Sequence, residues 1–245
     1  MNEQDSGPKT TSTAERMATI ARASANAMMH KTQGEHETQM GANYSVALSE
    51  AGAIIANWPK APKEGARQIL DRYGPPNEAT PTKLFWYQRG PWKRIVATSD
   101  VIAHNFPAPH SDYLTMWIDY QVPVEKFDEI GRFDGSCLVD RTAGEAGARC
   151  DSEAANIITL NLMHEIVTGS KELEEARKVY AENMAAYAMG RPAPYAERLL
   201  FALSGNGTQD PDESMMAGAM ARQAAGKVKD LMTGSEDSSP NDPRH

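Results

Sequence analysis

The sequence predicts an α+β protein: a small antiparallel sheet of two β-hairpins covered by helices, with flexible helical arms at both termini. Three observations lead there. Two stretches with a period of two, over residues 84–97 and 136–150, are each interrupted by a Gly-containing turn. Apolar residues recur at helical spacing before residue 74 and after residue 151. Polar segments at 31–43 and 204–213 set the outermost helical patterns apart. The expected organisation is an arm over 1–43, a single α+β domain over 44–203, and a linker, detached helix and disordered tail over 204–245.

Residues 1–11 hold Gly, Pro, Thr and charge with nothing to bury, and disorder is expected there. Ser12-Thr-Ala-Glu15 has the capping-box pattern and opens a helix to about Met29, with Met17, Ile20, Ala21, Ala27 and Met28 on one side. A helix from about Ser45 to Asn57 ends before Trp58-Pro59, because the residue before a proline is pushed out of the α region. Lys63 to Tyr73 aligns Ala66, Ile69, Leu70 and Tyr73 and stops at Gly74-Pro75-Pro76.

Leu84–Arg89 and Trp92–Ala97 around Gly90-Pro91 read as a hairpin with a type II′ turn. That turn sets Trp86 opposite Ile95, Phe85 opposite Val96 and Tyr87 opposite Arg94. A proline-punctuated loop, His104–His110, leads to Leu114–Val122, either a strand or a short buried helix. A short helix is expected over Val124–Phe133. Ser136–Thr142 and Glu145–Cys150 suggest a second hairpin turning at Ala143-Gly144. Asp151 or Ser152 then caps an amphipathic helix that ends at Gly169. Lys171–Met189 is its neighbour, Tyr195–Leu203 closes the domain as a last helix, and Met215–Leu231 forms the detached helix.

Charge and composition narrow the function classes. The 245 residues carry 25 Lys+Arg against 33 Asp+Glu, a net charge of −8 that argues against nucleic acid or an anionic membrane surface as partner. The longest apolar stretch, Val46–Ala56, is interrupted by Ser49 and Glu50 and is shorter than the roughly 18 residues a membrane span needs. Two cysteines do not make a disulfide scaffold. With no apolar run in Met1–Ser12, the expected compartment is the cytoplasm.

Several clusters have the residue types that chemistry requires. His104-x5-His110-x-Asp112 offers two imidazoles and a carboxylate, a ligand set for a divalent metal or for acid–base work. The spacing is neither one helix face nor a tight knuckle, so a backbone-bonded histidine and a capping Asp112 are the plain alternative. With the turn at Ala143-Gly144, Cys137 would oppose Cys150 as a disulfide or dithiol pair, against the favoured alternative of two small buried residues that are simply reduced. Cys150 also precedes a helix N-terminus, which favours a reactive thiolate. Arg141 and Arg149 flank small residues and, with the helix start at Asp151-Ser152, form a candidate anion site, against the favoured alternative in which Arg149 pairs diagonally with Asp140 across the hairpin. Trp86–Arg94 interleaves aromatic and basic residues, which could clamp a single strand or simply pack as a hairpin core.

The run Phe133–Asp151 with its following helix, together with His104-Asn-Phe-Pro-Ala-Pro-His110, resembles a group of bacterial cytosolic proteins of unknown function over about residues 44–190. The resemblance implies a single bacterial cytosolic domain and brings no activity, ligand or catalytic residue with it. On the residues alone, the leading expectation is a non-enzymatic binding module that meets a protein partner through its Met-rich terminal helices. The competing expectation is a small metal-dependent or acid–base enzyme using His104, His110 and Asp112.

Overall fold

A computed structural model describes residues 12–33, 36–203, 210 and 212–233. The chain forms two compact units, residues 1–210 and 211–245. The first holds α1 (Thr13–Gln33), α2 (His36–Gly41), α3 (Leu48–Ala56), α4 (Lys60–Tyr73), β1 (Glu78–Thr80), β2 (Lys83–Arg89), β3 (Trp92–His104) and β4 (His110–Asp119). It continues with a 3-10 turn (Val124–Lys126), α5 (Phe127–Phe133), β5 (Cys137–Asp140), β6 (Glu145–Cys150), α6 (Glu153–Thr168), α7 (Leu173–Ala188) and α8 (Pro194–Glu197). The second unit carries α9 (Met216–Thr233). The six strands form one antiparallel sheet in the order β1-β2-β3-β4-β6-β5, so the fold is α+β.

The first hairpin has the expected register: Trp86 pairs with Ile95, Phe85 with Val96 and Tyr87 with Arg94. Its turn explains why. Gly90 sits at φ +57°, which glycine adopts freely, while Pro91 is confined to negative φ, and only a type II′ turn accepts that order. Trp86, Tyr87 and Trp92 are buried in the core, with Trp86 Nε1 donating to Gly74 O at 3.0 Å. The hairpin aromatics therefore pack as core and present no stacking platform.

The second hairpin departs from expectation. A four-residue turn, Arg141–Gly144, separates the strands, held by Ala143 N donating to Asp140 Oδ1 at 3.0 Å and by Gly144 at φ +62°. Cys137 therefore pairs with Ala148. Cys150 extends past the pairing with β5 and sits opposite Leu114 of β4. This slip of two residues keeps both cysteines on one sheet face but makes them diagonal neighbours, roughly 7–8 Å apart and beyond ordinary disulfide reach. Both thiols are free.

Helix α6 lies at the centre of the first unit's core. Ser152 caps it, its Oγ accepting from Ala155 N at 3.4 Å, and Gly169 in the left-handed conformation ends it. It was expected to be amphipathic, yet every residue from Ala154 to Met163 is buried. Ile157, Leu160 and Met163 pack with the sheet, α3 and α4, whereas Ala154, Ile158, Leu162 and Ile166 pack with Phe133, Ala176 and Tyr180. A helix covered all round needs its polar residues bonded. Asn156 Nδ2 donates to Leu114 O at 3.1 Å, and Asn161 Nδ2 donates to Tyr195 O and Arg198 O at 3.0 and 2.9 Å.

Asn161 also explains a second departure. Residues 195–203 were expected to be a helix, but only Pro194–Glu197 is helical. Asn161 Oδ1 accepts from Leu200 N at 2.7 Å, so the side chain of α6 binds backbone groups that a continuing helix would have used itself. A third departure concerns 36–43, expected as linker. Helix α2 packs on β2, where Gly41 lies against the Tyr87 ring, and Asn77 Nδ2 donates to Ala42 O and Tyr44 O. In α1 the capping box forms as expected, Ser12 N donating to Glu15 Oε2 at 2.7 Å and Glu15 N to Ser12 Oγ at 3.2 Å. The disorder expected for 1–11 and the tail beyond 233, and all but Asp210, Asp212 and Glu213 of the 204–213 linker, lie outside the described residues. Among the described residues no helix is long and apolar enough to cross a membrane.

The packing of α4 on β4 leaves a clear test. A Cβ at Gly65 would come within 2.3 Å of the Tyr113 ring, whereas one at Gly52 in α3 meets nothing within 4 Å. Helix propensity alone favours alanine at both by about 1 kcal/mol. Gly65→Ala is nevertheless expected to destabilise by about 1–3 kcal/mol in chemical denaturation, because overpacking outweighs propensity. Gly52→Ala is expected to be neutral or stabilising. Equal effects at the two positions would show that α4 is not seated on Tyr113.

Candidate metal centre

The His104–His110 segment is the tip of a hairpin between β3 and β4, not a free loop. Pairing runs Arg94 to Trp117 through Ala97 to Leu114, breaks, and resumes at Ile102 with Asp112, Ala103 with Ser111 and His104 with His110. Between Ala97 and Ile102 the β3 chain advances five residues while β4 advances two, from Leu114 to Asp112. The odd number of extra residues reverses the alternation of β3 beyond the bulge. His104 thereby shares a face with His110 and Asp112, the face on which Leu114, Met116 and Ile118 are buried. The spacing that looked wrong for ligands is a cross-strand pair plus its neighbour two residues on.

The hairpin tip is tied down. The Phe106 ring packs 5.1 Å from Tyr180 and 6.3 Å from Phe133, and Arg177 stacks over it at 3.9 Å. This holds the two histidine rings with centroids 4.9 Å apart.

Two of the three predicted ligands, His104 and Asp112, carry a donor atom that is buried without a hydrogen bond, and the third, His110, turns its Nε2 to Cys150 Sγ. His110 Nδ1 lies 2.8 Å from Ala108 O, so Nδ1 donates to that carbonyl and Nε2 is the nitrogen turned toward Asp112 and Cys150. Ser136 Oγ donates to Asp112 Oδ2, while Asp112 Oδ1 is buried without a hydrogen bond. That oxygen stands 3.1 Å from His110 Nε2, close but without hydrogen-bond alignment. His104 Nε2 faces Asp134 Oδ1 at 3.6 Å, and its Nδ1, 3.6 Å from Asp112 Oδ2, is also buried without a hydrogen bond. One donor atom from each of His104, His110 and Asp112 lies within 4.8 Å of the others.

Four residues that the sequence reading did not single out complete the surroundings. Asp134 and Ser136 come from the loop between α5 and β5, with Ser136 N donating to Asp134 Oδ1 at 2.8 Å. Thr159 of α6 reaches Asp134 Oδ2 at 3.5 Å and Tyr180 OH at 3.4 Å. The residue types of Asp134-Gly-Ser136 were the only available signal, and nothing in their spacing points to His104.

The electrostatics are one-sided. Asp112 has no exposed surface and Asp134 is 3% exposed. Against these two carboxylates stands Arg149, its Nε 3.8 Å from Asp112 Oδ2 and lacking a hydrogen bond. Burial pushes the Asp134 carboxyl above its ordinary value, and Tyr180 is pushed up by burial as well.

The remaining candidates divide. Cys150 joins the cluster, its Sγ 3.2 Å from His110 Nε2. Burial, and next the Asp151 carboxylate, push its thiol well above the usual range, so the expected activation by the α6 terminus is outweighed. Cys137 is buried one register step away, and burial raises its thiol too. Arg141 lies in the turn at the other end of the β5–β6 hairpin from Arg149, so the candidate two-arginine anion site is not assembled. Outside this cluster, His164 of α6 has Nδ1 2.8 Å from Tyr120 OH and its ring stacked on Phe201.

Comparison of the chain with family profiles, curated proteins and solved structures finds no match. Its chemistry must be argued from this geometry.

Buried, proton-bearing thiols react slowly. Alkylation of Cys137 and Cys150 by iodoacetamide in the native, metal-free chain is expected to be slow and to become complete only on unfolding. Mild oxidation should give no Cys137–Cys150 disulfide by mass spectrometry. Rapid native labelling, or that disulfide, would contradict the register and burial described.

Proposed function

We propose that this protein binds one divalent transition-metal ion, zinc by its donor types, through His104, His110 and Asp112. The observation that carries the reading is the convergence of donor atoms from these three side chains, with Asp112 Oδ1 and His104 Nδ1 buried there without a hydrogen bond. Metal-binding histidines have their second nitrogen fixed by a carbonyl or carboxylate, and metal-binding carboxylates are held by an outer partner. Ala108 O, Asp134 and Ser136 occupy those outer positions here. A cation among the open atoms would satisfy Asp112 Oδ1 and His104 Nδ1 together and offset two buried carboxylates. Imidazole with carboxylate suits zinc and its transition-metal neighbours better than magnesium or calcium, which prefer all-oxygen sites.

Zinc-equilibrated full-length protein is expected to retain one zinc per chain after gel filtration. His104→Ala and His110→Ala should abolish retention while leaving the far-ultraviolet circular dichroism unchanged. Because a ligand that binds only the folded state stabilises by about 2.7 kcal/mol at a hundred times its Kd, zinc should raise the Tm of the wild type and of neither variant. Wild-type protein that emerges free of zinc overturns the reading.

A second reading, a protein-docking role for the terminal helices, rests on one observation. Met17, Met28 and Met29 of α1, Met216 and Met220 of α9, and Met215 just before it are exposed. Flexible, polarizable Met side chains suit an adaptable contact surface. The reading expects fast backbone amide exchange through 216–233 in the isolated protein, since Gly218 and Gly226 each lower helicity by about 1 kcal/mol. Slow exchange there would count against it.

A further inference from the structure

We infer that Cys150 supplies a thiolate as the fourth ligand of this centre, closing its coordination sphere. The inference rests on the metal reading above and goes beyond it, since it decides between a closed site and one with a position open to water.

Cys150 is fixed by strand register, not by chance approach. It ends β6 opposite Leu114, and Asp112 is the next residue on the same face of the neighbouring strand. Its Sγ lies 3.2 Å from His110 Nε2, the nitrogen that Ala108 leaves open. Asp112 Oδ1, on a side chain with no exposed surface and lacking a hydrogen bond, lies 3.1 Å from that same nitrogen. Sulfur and oxygen donors thus converge on one imidazole nitrogen from two adjacent strands, and His104 adds a fourth donor from a third strand. One sulfur, two nitrogens and one oxygen fit the tetrahedral preference of zinc.

Two buried carboxylates, Asp112 and Asp134, stand here against one guanidinium, Arg149, which is directed at Asp112, and a divalent cation would offset that excess. On binding, the metal–sulfur bond replaces the S–H bond and the proton leaves to solvent, with no change of oxidation state. Four protein ligands leave no position for an activated water, so the centre would tie β3, β4 and β6 together and would not hydrolyse a substrate. The sulfur also sharpens selectivity toward zinc and other soft ions over magnesium and calcium.

Cobalt(II) reports on this directly in the full-length chain, because thiolate ligation produces a near-ultraviolet sulfur-to-cobalt charge-transfer band that nitrogen and oxygen ligands do not. Wild-type protein titrated with cobalt(II) is expected to show that band with intense visible bands of a tetrahedral ion. Cys137→Ser should keep both. Cys150→Ser should lose the charge-transfer band and bind cobalt more weakly by more than the roughly 10–100-fold that removing an outer partner costs. Wild-type cobalt binding without the charge-transfer band would overturn the fourth ligand and leave the three-ligand site standing. No cobalt binding at all by the wild type would overturn both.

Discussion

A carboxylate with no contact with water is costly to keep ionised unless its surroundings replace the lost hydration, and Asp112 is such a group. Four segments converge on it. β3 delivers His104 past the bulge, β4 delivers His110, the α5–β5 loop delivers Ser136, and β6 delivers Arg149 and Cys150. Beside it, Thr159 of α6 engages the second buried carboxylate, Asp134. The end of the sheet is organised around this charge, and the bulge between Ala97 and Ile102 is the backbone feature that makes it possible.

The centre lies where the two halves of the core meet. Leu114, next to Asp112 on its face of β4, belongs to the cluster formed by the sheet with α3 and α4. Phe133, beside Asp134, belongs to the cluster formed by α5, α6 and α7. A cation there would couple the β3–β4 hairpin, β6 and the α5–β5 loop, so metal affinity becomes stability of that junction. Without a metal the junction relies on Arg149, the long His104–Asp134 contact and the Phe106 anchor, a less complete neutralisation of two buried acids.

The legible parts of the sequence were those in which local chemistry leaves one solution. Gly90-Pro91 admits one turn type, and the register of β2 on β3 follows from it. Ser12-x-x-Glu15 and Ser152 cap the helices they were expected to cap. The second hairpin was misread because Ala143-Gly144 closes either a two-residue or a four-residue turn, and Asp140 selects the longer by accepting from Ala143 N. His104, His110 and Asp112 were recognisable as ligand types. Their convergence was hidden because it depends on β3 running on to His104 and on the odd number of extra residues at the bulge. Asp134 and Ser136 were invisible for a related reason: tertiary contact alone brings their loop to the hairpin tip.

X-ray absorption at the zinc edge, on the zinc-loaded full-length chain, tests the central claim most directly because it sees the ligands themselves. The account predicts a four-coordinate shell of nitrogen and oxygen at about 2.0–2.1 Å with one sulfur at about 2.3 Å, and outer scattering from imidazole rings. A six-coordinate shell of oxygen alone, without imidazole scattering, would mean that zinc does not bind at His104, His110 and Asp112, and would contradict it.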